Sequence, residues 1–248
     1  MKKRLIILLI LFFALILNFI DRCNQTKNVL LVGEIMGFEI EDIDAKSEIT
    51  RQEVVETSFQ SLGTITCIDK ETNQFVALGH SLDIKSETPA IKGTCYKAEI
   101  EGFNKGKKNT LGYVIADVDQ TTPIGSLSNN SENGIYGKLN NKETDKYQEI
   151  QTASRYKITK GKASILLNLD GKGLKSYEVE IVDINYLSKS KNLRIKVKDS
   201  ELLELTGGII RGMSGTPVIQ NGKLIGAMNY VELSNPEEAY AIFIDKLI

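Results

Sequence analysis

The segment Arg211-Gly212-Met213-Ser214-Gly215-Thr216-Pro217-Val218-Ile219-Gln220-Asn221-Gly222-Lys223-Leu224-Ile225-Gly226-Ala227 decides how this chain is read. Its first half places a serine between glycines. Glycine tolerates backbone angles closed to other residues and lets a second main chain approach closely. A serine on such a turn can present its Oγ while nearby backbone N–H groups face a developing oxyanion. The two-residue spacing of Gly212 and Ser214 is that of the two oxyanion donors in chymotrypsin-type sites, so these N–H groups are the candidate oxyanion hole. The second half reads as two short strands around Asn221-Gly222, a strong hairpin signal.

A serine hydroxyl needs a base before it becomes a nucleophile. The chain has one histidine, His80, in Ala77-Leu78-Gly79-His80-Ser81. It follows a strand-like run and a glycine, which predicts a position at a strand end. Histidine before serine is the order of chymotrypsin and subtilisin, and no histidine follows Ser214, which excludes the serine-first α/β-hydrolase order. A third member, a carboxylate orienting the imidazole, is open on the residues alone: Asp199, Asp117, Asp119 and Asp83 are candidates. Asp199 equally reads as a helix cap, and Asp117 and Asp119 as exposed strand-end residues.

Away from these segments the pattern is of short strands. Leu62–Ile68, Phe75–Leu78, Tyr96–Phe103, Leu111–Val118, Gln148–Thr159 and Ser164–Leu169 are expected strands, with a turn at Asp69–Asn73 and a hairpin dipeptide at Asp170-Gly171. Tyr177–Ile181 alternates apolar with acidic residues and Leu193–Lys198 apolar with basic ones, the period of a half-buried strand. Their opposite charges suit cross-strand pairing. Residues 125–146, rich in Ser, Asn and Gly, read as mostly loop. One short helix is expected after Asp199 or Ser200, with Leu202, Leu203 and Leu205 on its apolar face and Gly207-Gly208 as its stop. Ala239–Ile244 is a last strand. Many strands and one helix predict a barrel or sandwich.

The chain is 42 % hydrophobic and 25 % charged with net charge −1. That is a globular composition, and it offers no overall basic field for nucleic acid. Three cysteines, Cys23, Cys67 and Cys95, are an odd count and not a disulfide framework. Without clustered histidines they make no zinc site either, and no metal or organic cofactor is expected. Lys2-Lys3-Arg4 precedes an apolar run, Leu5 to Ile20, interrupted only by Asn18. Sixteen helical residues span roughly 24 Å, slightly short of a hydrocarbon core. The run reads as a signal segment or, since no small-x-small cleavage site follows, as an uncleaved anchor with the remainder outside the cytoplasm.

Several of these segments resemble the stage IV sporulation protein B peptidases. They are Leu62-Gly63-Thr64-Ile65-Thr66 leading to Ala77-Leu78-Gly79-His80, the run Thr206 to Ala227, and Tyr240-Ala241-Ile242-Phe243-Ile244. The similarity covers roughly residues 55 to 248. It implies an all-β, chymotrypsin-like double β-barrel serine endopeptidase, here preceded by one N-terminal transmembrane helix. The resemblance also implies a triad of His80, Asp199 and Ser214, because the family's aspartate stands a similar short distance before the serine. It further implies self-cleavage and cleavage of a membrane-associated regulator, which frees an intramembrane protease to activate a late sigma factor. The expected organisation is an anchor through 1–22, a linker with one strand through 23–50, and a peptidase domain over 51–248. Residues Val32 to Ile40 resemble the segment that precedes the family's PDZ domain. Only about fifteen residues then remain before the peptidase, too few for a PDZ fold. The competing readings are a catalytically silent interaction module on the same fold and a general extracytoplasmic protease.

Overall fold

The structure is a computed structural model, and it describes residues 7, 10–18, 21, 26–41, 59–81, 90–140 and 146–248. Its body is two six-stranded antiparallel barrels. In the first, β1 (Asn28–Glu41), β2 (Phe59–Ile68), β3 (Gln74–Ala77), β6 (Gly134–Leu139), β5 (Tyr113–Ser131) and β4 (Ala90–Asn104) pair in that order. Pairing of β4 with β1 closes the ring, and β7 (Gln148–Gln151) adds to β1 outside it. The second barrel runs β10 (Leu193–Val197), β13 (Glu238–Phe243), β12 (Lys223–Val231), β11 (Pro217–Gln220), β8 (Gly161–Leu167) and β9 (Lys175–Ile184), closed by the β9–β10 pair. Closure removes the open edges that make sheets prone to aggregate.

Each barrel has its own core, because alternate side chains along a strand point inward. Phe38, Ile65, Phe75, Ile135 and Leu139 fill the first, and Ile165, Val179, Ile181, Leu193, Val218 and Phe243 the second. A third cluster lies between them and includes Val29, Leu31, Val76, Leu224 and Ile242. The expected charge pairing of β9 with β10 is present: Glu180 stands opposite Lys196, and its carboxylate meets Lys198 Nζ at 2.9 Å. The Asn221-Gly222 hairpin joins β11 to β12 as expected.

Two expectations are corrected. The linker expected over 23–50 holds instead a long strand that runs from Asn28 through Glu41. A register shift between Leu31 and Glu34 bends it, so that its first part pairs with β7 and its last part with β4. Ile35, Met36, Phe38 and Ile40 are buried, so this stretch is a barrel wall rather than a linker. Glu34, Glu39 and Glu41 give the stretch a polar composition, which hides the positions that face inward. Likewise residues 125–139, expected as loop, are the end of β5 and all of β6, joined at Glu132-Asn133. Leu127, Ile135 and Leu139 supply the buried positions of that hairpin, and its Ser and Asn residues lie mostly between them.

Residues 10–18 are helical, with Phe12, Phe13, Leu15 and Leu17 exposed. Among the described residues no helix is long and apolar enough to cross a membrane. Residues 42–58, with the expected domain start at 51, and the residues Cys23 and Asp83 lie outside the described residues. Cys67 and Cys95 are unpaired and buried in the first barrel. Burial pushes the Cys67 thiol up to about 12 and raises that of Cys95 as well.

Candidate active site

Ser214 sits on the loop that enters β11, and every turn of this loop is tied down. Met213, fully buried, donates its N–H to the Ile210 carbonyl at 3.2 Å. Thr216 returns both N–H and Oγ1 to the Met213 carbonyl, at 3.0 and 2.6 Å. Gly215 donates to the Met228 carbonyl at 2.6 Å. The first barrel grips the loop from the other side. Thr64 N–H bonds the Ser214 carbonyl at 2.8 Å, Thr64 Oγ1 the Gly212 carbonyl at 3.0 Å, and Thr66 Oγ1 the Gly215 carbonyl at 2.6 Å. Only glycine fits at 215: φ is +95°, and a Cβ there would stand 1.9 Å from the Thr64 carbonyl oxygen.

His80 follows an abrupt end to β3. Leu78, with φ 70°, and Gly79, with φ 65°, are both left-handed. For leucine this is a strained conformation. It is held by the Leu78 N–H bond to the Thr64 carbonyl at 3.2 Å and by complete burial of the side chain. The kink throws His80 out of the barrel and onto Tyr230 of β12, ring to ring at 5.4 Å. His80 Nδ1 lies 2.7 Å from the Ser81 carbonyl oxygen. A carbonyl can only accept, so Nδ1 carries the proton, and in the neutral ring Nε2 is left with its lone pair.

Both side chains line one cleft of about 590 Å³ between the barrels. Leu62, Leu78, Ile209, Met228, Val231 and Leu233 give its walls apolar stretches, and Arg211 adds a cation. Ser214 Oγ donates to the Asn229 carbonyl at 3.4 Å, a long bond. Gly212 also lines the cleft. Among the described residues neither the Gly212 nor the Ser214 N–H has a hydrogen-bond acceptor. Two vicinal donors left without partners beside a serine hydroxyl can receive an anionic oxygen.

The structure thus places His80, Gly212 and Ser214 on one cleft, with Ser214 Oγ bonded to the Asn229 carbonyl and not to His80. It does not bring Asp199 to them. Asp199 caps the helix Ser200–Thr206: Oδ1 accepts the Leu202 N–H at 3.0 Å, and Oδ2 the Glu178 N–H at 3.3 Å. It lines a shallow depression with Lys162, Glu178 and Gln220, not the cleft of His80. The local sequence explains this, since Asp before Ser-Glu-Leu-Leu is a strong helix start. Asp117 and Asp119 stand elsewhere on β5, in a depression with Glu34, Glu99 and Asp170. The hydroxyl and N–H of Thr121 lower the Asp119 carboxyl below its ordinary range. Sequence reasoning missed Tyr230, Asn229 and the paired threonines of β2. The spacing of Thr64 and Thr66, two polar residues on one face of an apolar strand, was the one available signal.

The family model for SpoIVB peptidase S55 matches residues 52–248, most of the chain. The chain belongs to this family. The SpoIVB-type peptidase is a serine peptidase, in keeping with a cleft built around a glycine-flanked serine and a histidine. A comparison with curated proteins returned no match. Among solved structures, the active form of the Rv3671c protease from M. tuberculosis aligns at 8 % identity with a TM-score of 0.42, covering 87 % of this chain and 78 % of that one. Its inactive form aligns at 8 % with a TM-score of 0.39, covering 85 % and 84 %.

Proposed function

We propose that the chain is an endopeptidase in which Ser214 is the nucleophile and His80 the base. Ser214 Oγ leaves the Asn229 carbonyl, gives its proton to His80 Nε2 and attacks the peptide carbonyl carbon. The N–H groups of Gly212 and Ser214 take the oxyanion. The imidazolium then protonates the leaving amine as the C–N bond breaks. Water, deprotonated by the same nitrogen, releases the acyl group from Oγ. The observation that supports this reading best is the shared cleft, with two unengaged N–H donors beside the serine. The role expected of Asp199 falls instead to the Ser81 carbonyl, which fixes the tautomer of His80. Asp199 acts at one remove, by capping the helix that leads into the serine loop.

The family resemblance supports a signalling role: self-cleavage, and cleavage of a membrane-associated regulator that starts intramembrane proteolysis and sigma-factor activation. The basic cluster before Leu5–Ile20 supports a single-pass anchor with the peptidase domain outside the cytoplasm, in a sporulating cell the space between forespore and mother-cell membranes. Ser214→Ala and His80→Ala should each lower peptide hydrolysis by roughly 10³-fold or more. Ser214→Ala should also abolish labelling by a serine-directed phosphonate. Hydrolysis at the wild-type rate in Ser214→Ala would overturn the assignment.

A further inference from the structure

The turn between β9 and β10 holds Leu187 almost wholly in solvent, at 96 % exposure. The turn is rigid. Asn185 Oδ1 accepts the N–H groups of Leu187 and Ser188, at 3.0 and 3.1 Å. Asn192 Nδ2 donates to the carbonyls of Asn185 and Ser188, at 3.0 and 2.7 Å. Lys246 Nζ donates to the carbonyls of Ser188 and Lys189. Beside the leucine, the half-exposed rings of Tyr186 and Tyr156 stack at 6.0 Å. Lys157 and Lys189, close to them in the chain, are exposed. The neighbouring carboxylates Asp183 and Asp245 are each matched by a cation, Lys160 and Arg155. One exposed leucine means little by itself. A leucine tip with an aromatic pair and exposed lysines is the composition of a surface that lies in a membrane interface.

The course of the chain gives the same direction. The apolar run Leu5–Ile20 ends shortly before β1. At Lys27 the backbone is fastened to Thr152: Lys27 N–H to Thr152 Oγ1 at 2.9 Å, and Thr152 N–H to the Lys27 carbonyl at 2.8 Å. Tyr156 is four residues further, at most about 14 Å of chain. Lys27, seven residues after Ile20, is therefore held within about 20 Å of the Tyr156–Tyr186 pair beside Leu187.

We infer that this turn docks on the surface of a bilayer containing anionic lipid, with Leu187 inserted, the two tyrosines at headgroup level and the lysines against phosphates. This rests on the membrane-anchored reading above. It adds where the cleft lies. The other flank of the same turn reaches the site: the Ser190 carbonyl accepts Asn229 Nδ2 at 2.9 Å, and Lys191 Nζ sits 5.4 Å from the ring centre of Tyr230, which stacks on His80. Docking fixes the cleft close to the lipid surface and selects protein substrates whose scissile bond lies near a membrane.

The chain has no tryptophan, so one introduced residue reports its own surroundings. The full chain carrying Leu187→Trp is reconstituted into vesicles of phosphatidylglycerol and brominated phosphatidylcholine. Leu174→Trp is the control, at the far end of β9, roughly 30 Å away. The expected result is a blue shift and bromine quenching for Leu187→Trp and neither for Leu174→Trp. Water-like, unquenched emission from Leu187→Trp, or equal quenching of both, overturns the inference. Flotation with vesicles at high salt reads the anchor separately. Flotation with water-like Leu187→Trp emission overturns the docking and keeps the anchor. Quenching at low salt without flotation at high salt overturns the anchor and keeps the docking.

Discussion

Asp199 commits both carboxylate oxygens to backbone N–H groups, one in its own helix and one in β9. Its two possible roles make opposite predictions for one substitution. Asn caps a helix as well as Asp does, whereas Ala costs about 1 kcal/mol. Asp199→Asn should therefore keep near wild-type kcat and unfolding midpoint, and Asp199→Ala should lose about 1 kcal/mol in denaturant titration with kcat little changed. An aspartate orienting the base behaves differently: its replacement by Asn lowers kcat by about 10⁴. A fall of that size in Asp199→Asn would restore the triad implied by the family resemblance. A shared cleft for Ser214, Gly212 and His80 was legible in the sequence, because their residue types are rare in that combination, and the structure does place them on one cleft. The partner of His80 Nδ1 was not legible, because a backbone carbonyl carries no residue identity.

Among the elements, the β2–β3 turn and the start of β1 act together. Asp69 Oδ1 accepts the N–H groups of Glu71 and Thr72, and Oδ2 pairs with Lys27 Nζ at 2.9 Å. The lysine, with the Thr72 hydroxyl and N–H, lowers the Asp69 carboxyl from 3.8 to about 2. A depressed folded-state value contributes stability above the unfolded value, and that contribution is lost as pH falls through the folded one. Wild-type stability, followed by urea unfolding, should thus fall relative to that of Asp69→Asn between about pH 3.8 and 2. Parallel curves for the two proteins would show that the pair contributes nothing. The turn was legible from Asp69–Asn73, and so were β9, β10 and the Asn221 hairpin, because each is a local pattern. The far half of β1 and the β5–β6 hairpin were not, because their outward faces carry the acidic and amide residues that also make loops.

At the scale of the whole molecule, the site exists only where the two barrels meet. Thr64 and Thr66, both fully buried, carry hydroxyls from β2 of the first barrel to carbonyls of the serine loop of the second. Thr66→Val keeps the shape and leaves the buried Gly215 carbonyl without that donor, which should cost about 1–3 kcal/mol. Because that carbonyl adjoins Ser214, kcat should fall along with the unfolding midpoint; an unchanged kcat would mean that the loop holds its shape without the first barrel. The sequence by itself determined the glycine-flanked serine turn, the only available imidazole, the strand-rich class and most of the second barrel, since glycine turns, residue scarcity and period-two alternation are local properties. Only the tertiary structure decided that β1 closes the first barrel, that Leu78 is strained to aim His80 at Tyr230, and that Asp199 lies outside the cleft. Those outcomes depend on which backbone groups meet across distant strands, and hydrogen bonds between main chains leave no mark on the residues that make them.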